Sequence, residues 1–134
     1  MLERAVWFHG HLGPFLAIGV RMGMLAMKCL GSGRFEISSV TAHVGFKPPI
    51  SCIADGIQVS TGCTVGRGCL KIEGFEGTPY AVFELGDRKT TIRLREGKLK
   101  LIMEKLKGVD LKGMEKLALE VYEMDELLEV VDSE

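Results

Sequence analysis

Apolar residues crowd into one stretch near the start of the chain. No charge occurs from Leu12 to Val20, and only Arg21 and Lys28 interrupt the run that continues to Leu30. Pro14 suits the first position of a helix, where its missing N–H costs nothing, and Gly31 with Gly33 supplies a stop, so the pattern predicts a helix over about 14–30. This helix is apolar nearly all round and carries Gly19 and Gly23 one turn apart. It therefore reads as a central helix that another backbone approaches closely, a symmetry mate being one source. "FEISSVTAHV" alternates and is rich in β-branched residues, predicting a strand at about 35–44. Two prolines end that strand, and a short helix is predicted over about 50–61, with Gly62 at its C′ position. "TVGRGCLKIEG", "YAVFELG" and "KTTIRLRE" predict an antiparallel meander and a sheet of about four strands. A basic helix follows from Lys98 to about Lys107. After it comes a second helix, N-capped by Asp110, whose apolar face runs from Leu111 through Leu117 and Val121 to Leu127, Leu128 and Val131. The fold class is α+β: one domain over 1–134, a small antiparallel sheet packed with N-terminal and C-terminal helices.

A chain of 134 residues can bury a sufficient core without disulfides or a structural metal, so a bound metal would point to function. A net charge of -1 and a hydrophobic fraction of 46% exclude a disordered chain and give no whole-protein reason for a nucleic-acid or membrane partner. The segment from Arg88 to Lys107 is basic and the chain after Glu115 acidic, but no aromatic residues interleave with these charges as a single-strand platform requires. The charge at Arg21 leaves the apolar run well short of the roughly 20 residues that span a bilayer. Glu3 stands ahead of the run and no small-residue cleavage pattern ends it, so the expected location is the cytoplasm. Four cysteines, at 29, 52, 63 and 69, are then expected as thiols or metal thiolates.

Two of the three histidines, His9 and His11, flank Gly10 directly before the central helix. In a loop or extended segment both rings face one side, and the helix N-terminus favours neutral imidazoles, the form that binds metal or accepts a proton. Hydrogen bonding to backbone at a turn is the alternative use. Cys52, Asp55 and Gln58 recur at threes on the short helix and share a face, either solvated or chemical. "STGCTVGRGCL" gathers glycines that let a ligand approach the backbone, with Arg67 as a cation suited to carboxylate or phosphate. It is not a Walker loop. Cys63 lies among polar residues, whereas Cys29 and Cys69 read as packing residues.

"FHGHLGPFLAIGVRMG" and "CIADGIQVSTGCTVGRGCL", in that order, resemble the FmdE family of formylmethanofuran dehydrogenase proteins, with motifs F-H-G-H-x-C-P-G-x-A-x-G and C-x-x-D-x-I-Q-x-x-x-G-C-T-x-G-K-G-x-L. His9, His11, Cys52, Asp55, Gln58, Cys63 and Thr64 match; Gly13 stands in place of a cysteine, Phe15 of a glycine and Arg67 of a lysine. The resemblance implies an α+β domain in an intertwined homodimer, with a pocket between the histidine motif and the two-cysteine motif. It further implies a transition metal, with His11 or His9, Cys52 and Cys63 as ligands. Mixed nitrogen and sulfur donors suit zinc and leave one position for water or substrate. Asp55, Gln58 and His9 are then the catalytic candidates, Asp55 orienting a ligand or moving a proton and Gln58 bonding the substrate. Arg67 and Thr64 would hold a small anionic or formyl-type substrate of one-carbon, methanofuran-linked metabolism. The alternative is a non-catalytic accessory component of a molybdenum or tungsten formylmethanofuran dehydrogenase complex. No pterin site or iron–sulfur run is present for the redox step itself.

Overall fold

The computed structural model describes residues 1–133, among which lie five α-helices, one 3-10 turn and five strands. In chain order these are α1 (Leu2–His9), α2 (Pro14–Leu30), β1 (Ser39–His43), the 3-10 turn (Ile50–Cys52), α3 (Ile53–Thr61) and β2 (Leu70–Glu73). Then come β3 (Tyr80–Leu85), β4 (Arg88–Leu94), α4 (Glu96–Leu106), α5 (Leu111–Tyr122) and β5 (Leu128–Ser133). The sheet order is β2-β1-β3-β4-β5. Val40 and Ala42 of β1, Ala81 and Phe83 of β3, and Ile92 and Leu94 of β4 alternate to one face and are buried, forming with α2 the main core. No helix among the described residues is long and apolar enough to cross a membrane.

Helix α2 spans the predicted range. Gly13 is its N-cap, Pro14 its first residue, and Gly31 its left-handed cap with φ 65°. Ile18, Val20, Met22 and Ala26 are all fully buried on it, as an all-round apolar helix requires. The backbone that approaches its glycines belongs to α3 of the same chain. A Cβ on Gly19 would collide with the Ile53 carbonyl and stand 2.9 Å from the Gly56 Cα, and one on Gly23 would collide with the Ser60 hydroxyl. The two helices are packed backbone to backbone.

The sheet departs from the predicted meander at both edges. β1, α3 and β2 form a crossover unit, so β2 pairs with β1 in parallel, Val40 opposite Leu70, instead of with β3. At the other edge β5 adds a fifth strand, antiparallel to β4, with Ile92 opposite Val130 and Leu94 opposite Leu128. These residues were predicted to continue the last helix. That helix stops at Tyr122 because Arg21 of α2 donates to the carbonyls of Val121 (3.1 Å) and Met124 (2.6 Å), and Glu126 takes a left-handed turn at φ 53°. β1 is shorter than predicted because Phe35 is left-handed, at φ 71°, and its N–H bonds to the Thr61 carbonyl. Helix α1 was not predicted. It has eight residues, of which only Ala5 is buried, too little periodic signal to read.

The α2–α3 contact leaves no room for a methyl group. A Cβ on Gly56 would collide with the Leu16 carbonyl and stand 2.6 Å from the Val20 nitrogen, backbone atoms that no rotamer change can clear. Gly56→Ala is therefore expected to cost about 3 kcal/mol in chemical denaturation, the upper end for overpacking. Gly97→Ala in α4, where a Cβ meets nothing within 4 Å, is expected to be neutral or to stabilise by up to about 1 kcal/mol.

Candidate functional site

Helix α1 ends at His9, and Gly10, left-handed at φ 113°, turns the chain back so that the His9 and His11 rings lie 4.7 Å apart at 43°. The two imidazoles thus share one side, as predicted, through a helix cap and not through an extended segment. The close packing of α3 on α2 brings its first turn, with Asp55, against the end of α1. His9 Nδ1 and Asp55 Oδ2 are 2.5 Å apart. A carboxylate can only accept, so Nδ1–H donates, in a charge-assisted bond at a histidine side chain 11% exposed.

The second oxygen of Asp55 is held as well. Gln58 Nε2 donates to Asp55 Oδ1 at 3.2 Å, and Gln58 Oε1 accepts from the Val65 N–H at 3.0 Å. A chain of contacts therefore runs from the loop after α3 through Gln58 and Asp55 to His9. Gln58 is buried and engaged at both ends of its amide, so it positions Asp55 instead of presenting a free group to substrate. At the far side of the ring, His9 Nε2 is buried and has no hydrogen-bond partner among the described residues. Native proteins seldom leave such an atom unmatched; an ordered water, an ion or a ligand completes it, or the atom is a reactive one.

His9 and His11 line a cavity of about 130 Å³ together with Gly13, Leu16, Cys52 and, just ahead of the 3-10 turn, Pro48 and Pro49. Met114 of α5 and Leu106 of α4 close it. These two come from more than 90 residues downstream of His11, and no local signal in the sequence joins them to the histidines. Burial, and secondarily the Asp55 charge, raise the Cys52 thiol above its ordinary value, so it keeps its proton at neutral pH unless a cation replaces it. Gly13 has extended backbone, φ -132°, and a Cβ there would rest 3.7 Å from His11 Nε2 and 3.4 Å from the Met114 sulfur.

Cys63, Thr64 and Arg67 lie elsewhere. Cys52 precedes α3 and Cys63 follows it, separated by roughly 15 Å of helical rise. Thr64 Oγ1 accepts from the Arg67 N–H at 3.2 Å, and the Arg67 guanidinium lies over the Phe35 ring, 5.4 Å from its centroid. The structure thus brings together His9, His11, Cys52, Asp55 and Gln58, and sets Cys63, Thr64 and Arg67 at the opposite end of α3. Among the described residues no three His, Cys, Asp or Glu side chains stand close enough to share one ion as they are arranged.

The motifs that build this arrangement fall inside a match to a known family model, "FmdE, Molybdenum formylmethanofuran dehydrogenase operon", which covers residues 8–131. The chain belongs to the FmdE family. Similarity also extends to a curated relative from Archaeoglobus fulgidus named "Probable S-adenosyl-L-methionine-binding protein", 44% identical over 71 residues. That stretch is 52% of this chain and 19% of the relative, so the matched part is about a fifth of that protein's length. In this FmdE-family chain the histidine motif and the Cys52–Gln58 segment meet across the α1–α3 contact, while the glycine-rich half of the second motif forms the loop beyond α3.

Burial, then hydrogen bonding to the Cys69 thiol, push the Cys63 thiol up to about 12 from its ordinary 9.0. The folded protein therefore keeps this proton where the unfolded chain has lost it, and stability is full below 9.0 and falls as pH rises toward 12. Urea denaturation across the lower part of that window is expected to show a shallower loss of stability for Cys63→Ala than for the wild type.

Proposed function

We propose that the cavity between α1, α2 and the 3-10 turn is the working centre of this FmdE-family domain and takes a transition metal, zinc by its donor chemistry. His9 Nε2 would hold the ion, with His11 and the Cys52 thiolate as the further donors once their side chains close on it, since as arranged the three do not share one ion. One observation carries this reading: His9 Nε2 is buried and unpartnered while its Nδ1–H is fixed on Asp55. That is the carboxylate–histidine arrangement by which proteins fix the tautomer and orientation of a metal-binding ring. Two further features support it. The half-buried Cys52 lines the same cavity and would release its proton to a cation. A side chain at position 13 would lie beside His11, where the family pattern carries a cysteine. Cys63 is left out of the ligand set because it stands at the other end of α3.

An ion so held supplies Lewis acidity to a carbonyl or formyl oxygen. The chain's own residues supply the rest. Asp55 keeps the proton on His9 Nδ1, Gln58 keeps Asp55 in place, and the buried Phe15 and Leu16 supply an apolar wall. A volume of about 130 Å³ admits a group of formyl size, several times the share of one water in the liquid, and not a whole cofactor. This supports a small formyl-type or anionic substrate. The ligand named for the Archaeoglobus relative is not carried over, because the match spans only 19% of that protein. A second reading, an accessory component of a formylmethanofuran dehydrogenase complex, draws on the family description and on Trp7, 87% exposed beside the half-exposed Phe8.

Elemental mass spectrometry of untagged protein tests the proposal. Near-stoichiometric zinc is expected, lost in His9→Ala and kept in Cys63→Ala, with Gly13→Cys binding at least about tenfold tighter, the gain of one added donor. Folded wild type without metal, and no gain in Gly13→Cys, would sink the metal reading and favour the accessory one.

A further inference from the structure

The glycine-rich loop outside the proposed metal site brings two thiols together. Cys63 follows the C-cap of α3, where its N–H donates to Thr61 Oγ1 at 3.1 Å, and its side chain is buried. Cys69 immediately precedes β2. Its carbonyl accepts from the Val40 N–H at 2.8 Å, the bond that starts the parallel pairing of β1 and β2. The same carbonyl lies 2.9 Å from Cys63 Sγ, and the Cys69 sulfur is within 3.8 Å of the Thr64 carbonyl. Each sulfur thus reaches the backbone at the other end of the loop, which places the two thiols on one short turn. The crossover topology therefore fixes both ends of the loop, and the five residues between form a hydrogen-bonded turn, Gly68 N–H to the Val65 carbonyl at 2.9 Å and Cys69 N–H to the Thr64 carbonyl at 3.2 Å, that folds Cys69 back toward Cys63. Gly66 and Gly68 have nothing within 4 Å of a Cβ position, and Val65 and Arg67 are exposed.

We propose that Cys63 and Cys69 form a dithiol site that exchanges with external disulfides, closing the 63–69 loop as a reversible intramolecular disulfide. Two observations assign the order of events. Cys69 is only partly buried and Cys63 is 2% exposed, so of the two Cys69 meets the external disulfide first. The Cys69 thiolate attacks one sulfur of the external disulfide, forming a mixed disulfide and releasing one thiolate. Cys63 then gives its proton to solvent and attacks the Cys69 sulfur, expelling the second thiolate. The protein loses two electrons and two protons as one S–S bond forms, and the external disulfide is reduced to two thiols. The high proton affinity of Cys63 makes the second step the slower one. The remaining cysteines take no part in the loop disulfide. Cys29 is exposed in the last turn of α2, where it can carry an external thiol as a mixed disulfide, and Cys52 lines the cavity at the other end of α3.

Equilibration of the folded wild-type chain in glutathione redox buffers, followed by acid quench, unfolding, thiol titration and peptide mapping, tests this. Cys63 and Cys69 are expected in one disulfide-linked peptide, any glutathione adduct on the exposed Cys29 being separated by the mapping, and all four thiols are expected to return in excess reduced glutathione. Cys63→Ser is expected to stop at a glutathione adduct on Cys69, and Cys69→Ser to lose no thiol pair. Retention of four thiols by the wild type, or a disulfide that joins Cys29 or Cys52, would overturn the proposal. Because the mapping is read on the wild type, it holds whether or not either variant folds, and it is independent of metal content.

Discussion

Helix α3 lies directly on the backbone of α2, and the geometry of the site depends on that approach. Gly19 and Gly56 face each other with no room for a side chain, so the helices meet at main-chain distance where ordinary packing would hold them apart by a layer of side chains. Asp55, next to Gly56, is thereby carried to the end of α1, where His9 stands 2.5 Å away. The same approach sends α3 across the sheet as a crossover, which fixes β2 parallel to β1 and sets the loop with Cys63 and Cys69 at its start. One steric constraint therefore positions both chemical regions of the molecule, at opposite ends of a nine-residue helix.

At the cavity end, electrostatics and packing act on the same ring. Asp55 determines which nitrogen of His9 carries the proton, and the apolar walls deprive the other nitrogen of a partner. Left without a ligand or an ordered water, such a buried acceptor would cost about 1–3 kcal/mol, so the arrangement favours a bound partner. Gln58 ties the arrangement to Val65, in the loop that holds the two thiols, so the two ends of α3 are joined by hydrogen bonds as well as by the helix itself.

Much of this was legible where the signals are local. Pro14 and Gly31 bound α2, Gly62 ends α3, and Asp110 accepts from the Gly113 N–H at 2.8 Å to start α5. The elements that escaped reading depend on distant partners. Leu127, Leu128 and Val131 fit a helical period, yet β4 offers an open edge and Arg21 closes α5 first. The parallel placement of β2 follows from the crossover and leaves no trace in its own four residues. The site divides in the same way. His9, Asp55 and Gln58 were each singled out, but a contact across 46 residues is not written in either motif, nor is the contribution of Met114 and Leu106 to the cavity. Cys63 shares a motif with Cys52, and only the rise of the intervening helix shows that they stand at opposite ends of α3.

The central claim is that Asp55 leaves the Nε2 lone pair of His9 free for a ligand. Nitrogen-15 imidazole spectra of metal-free protein, recorded before and after addition of zinc, test it most directly. The account predicts the Nδ1–H form at His9 and a large zinc-dependent shift of the Nε2 resonance. A proton on Nε2, or an Nε2 resonance unmoved by zinc, would contradict it.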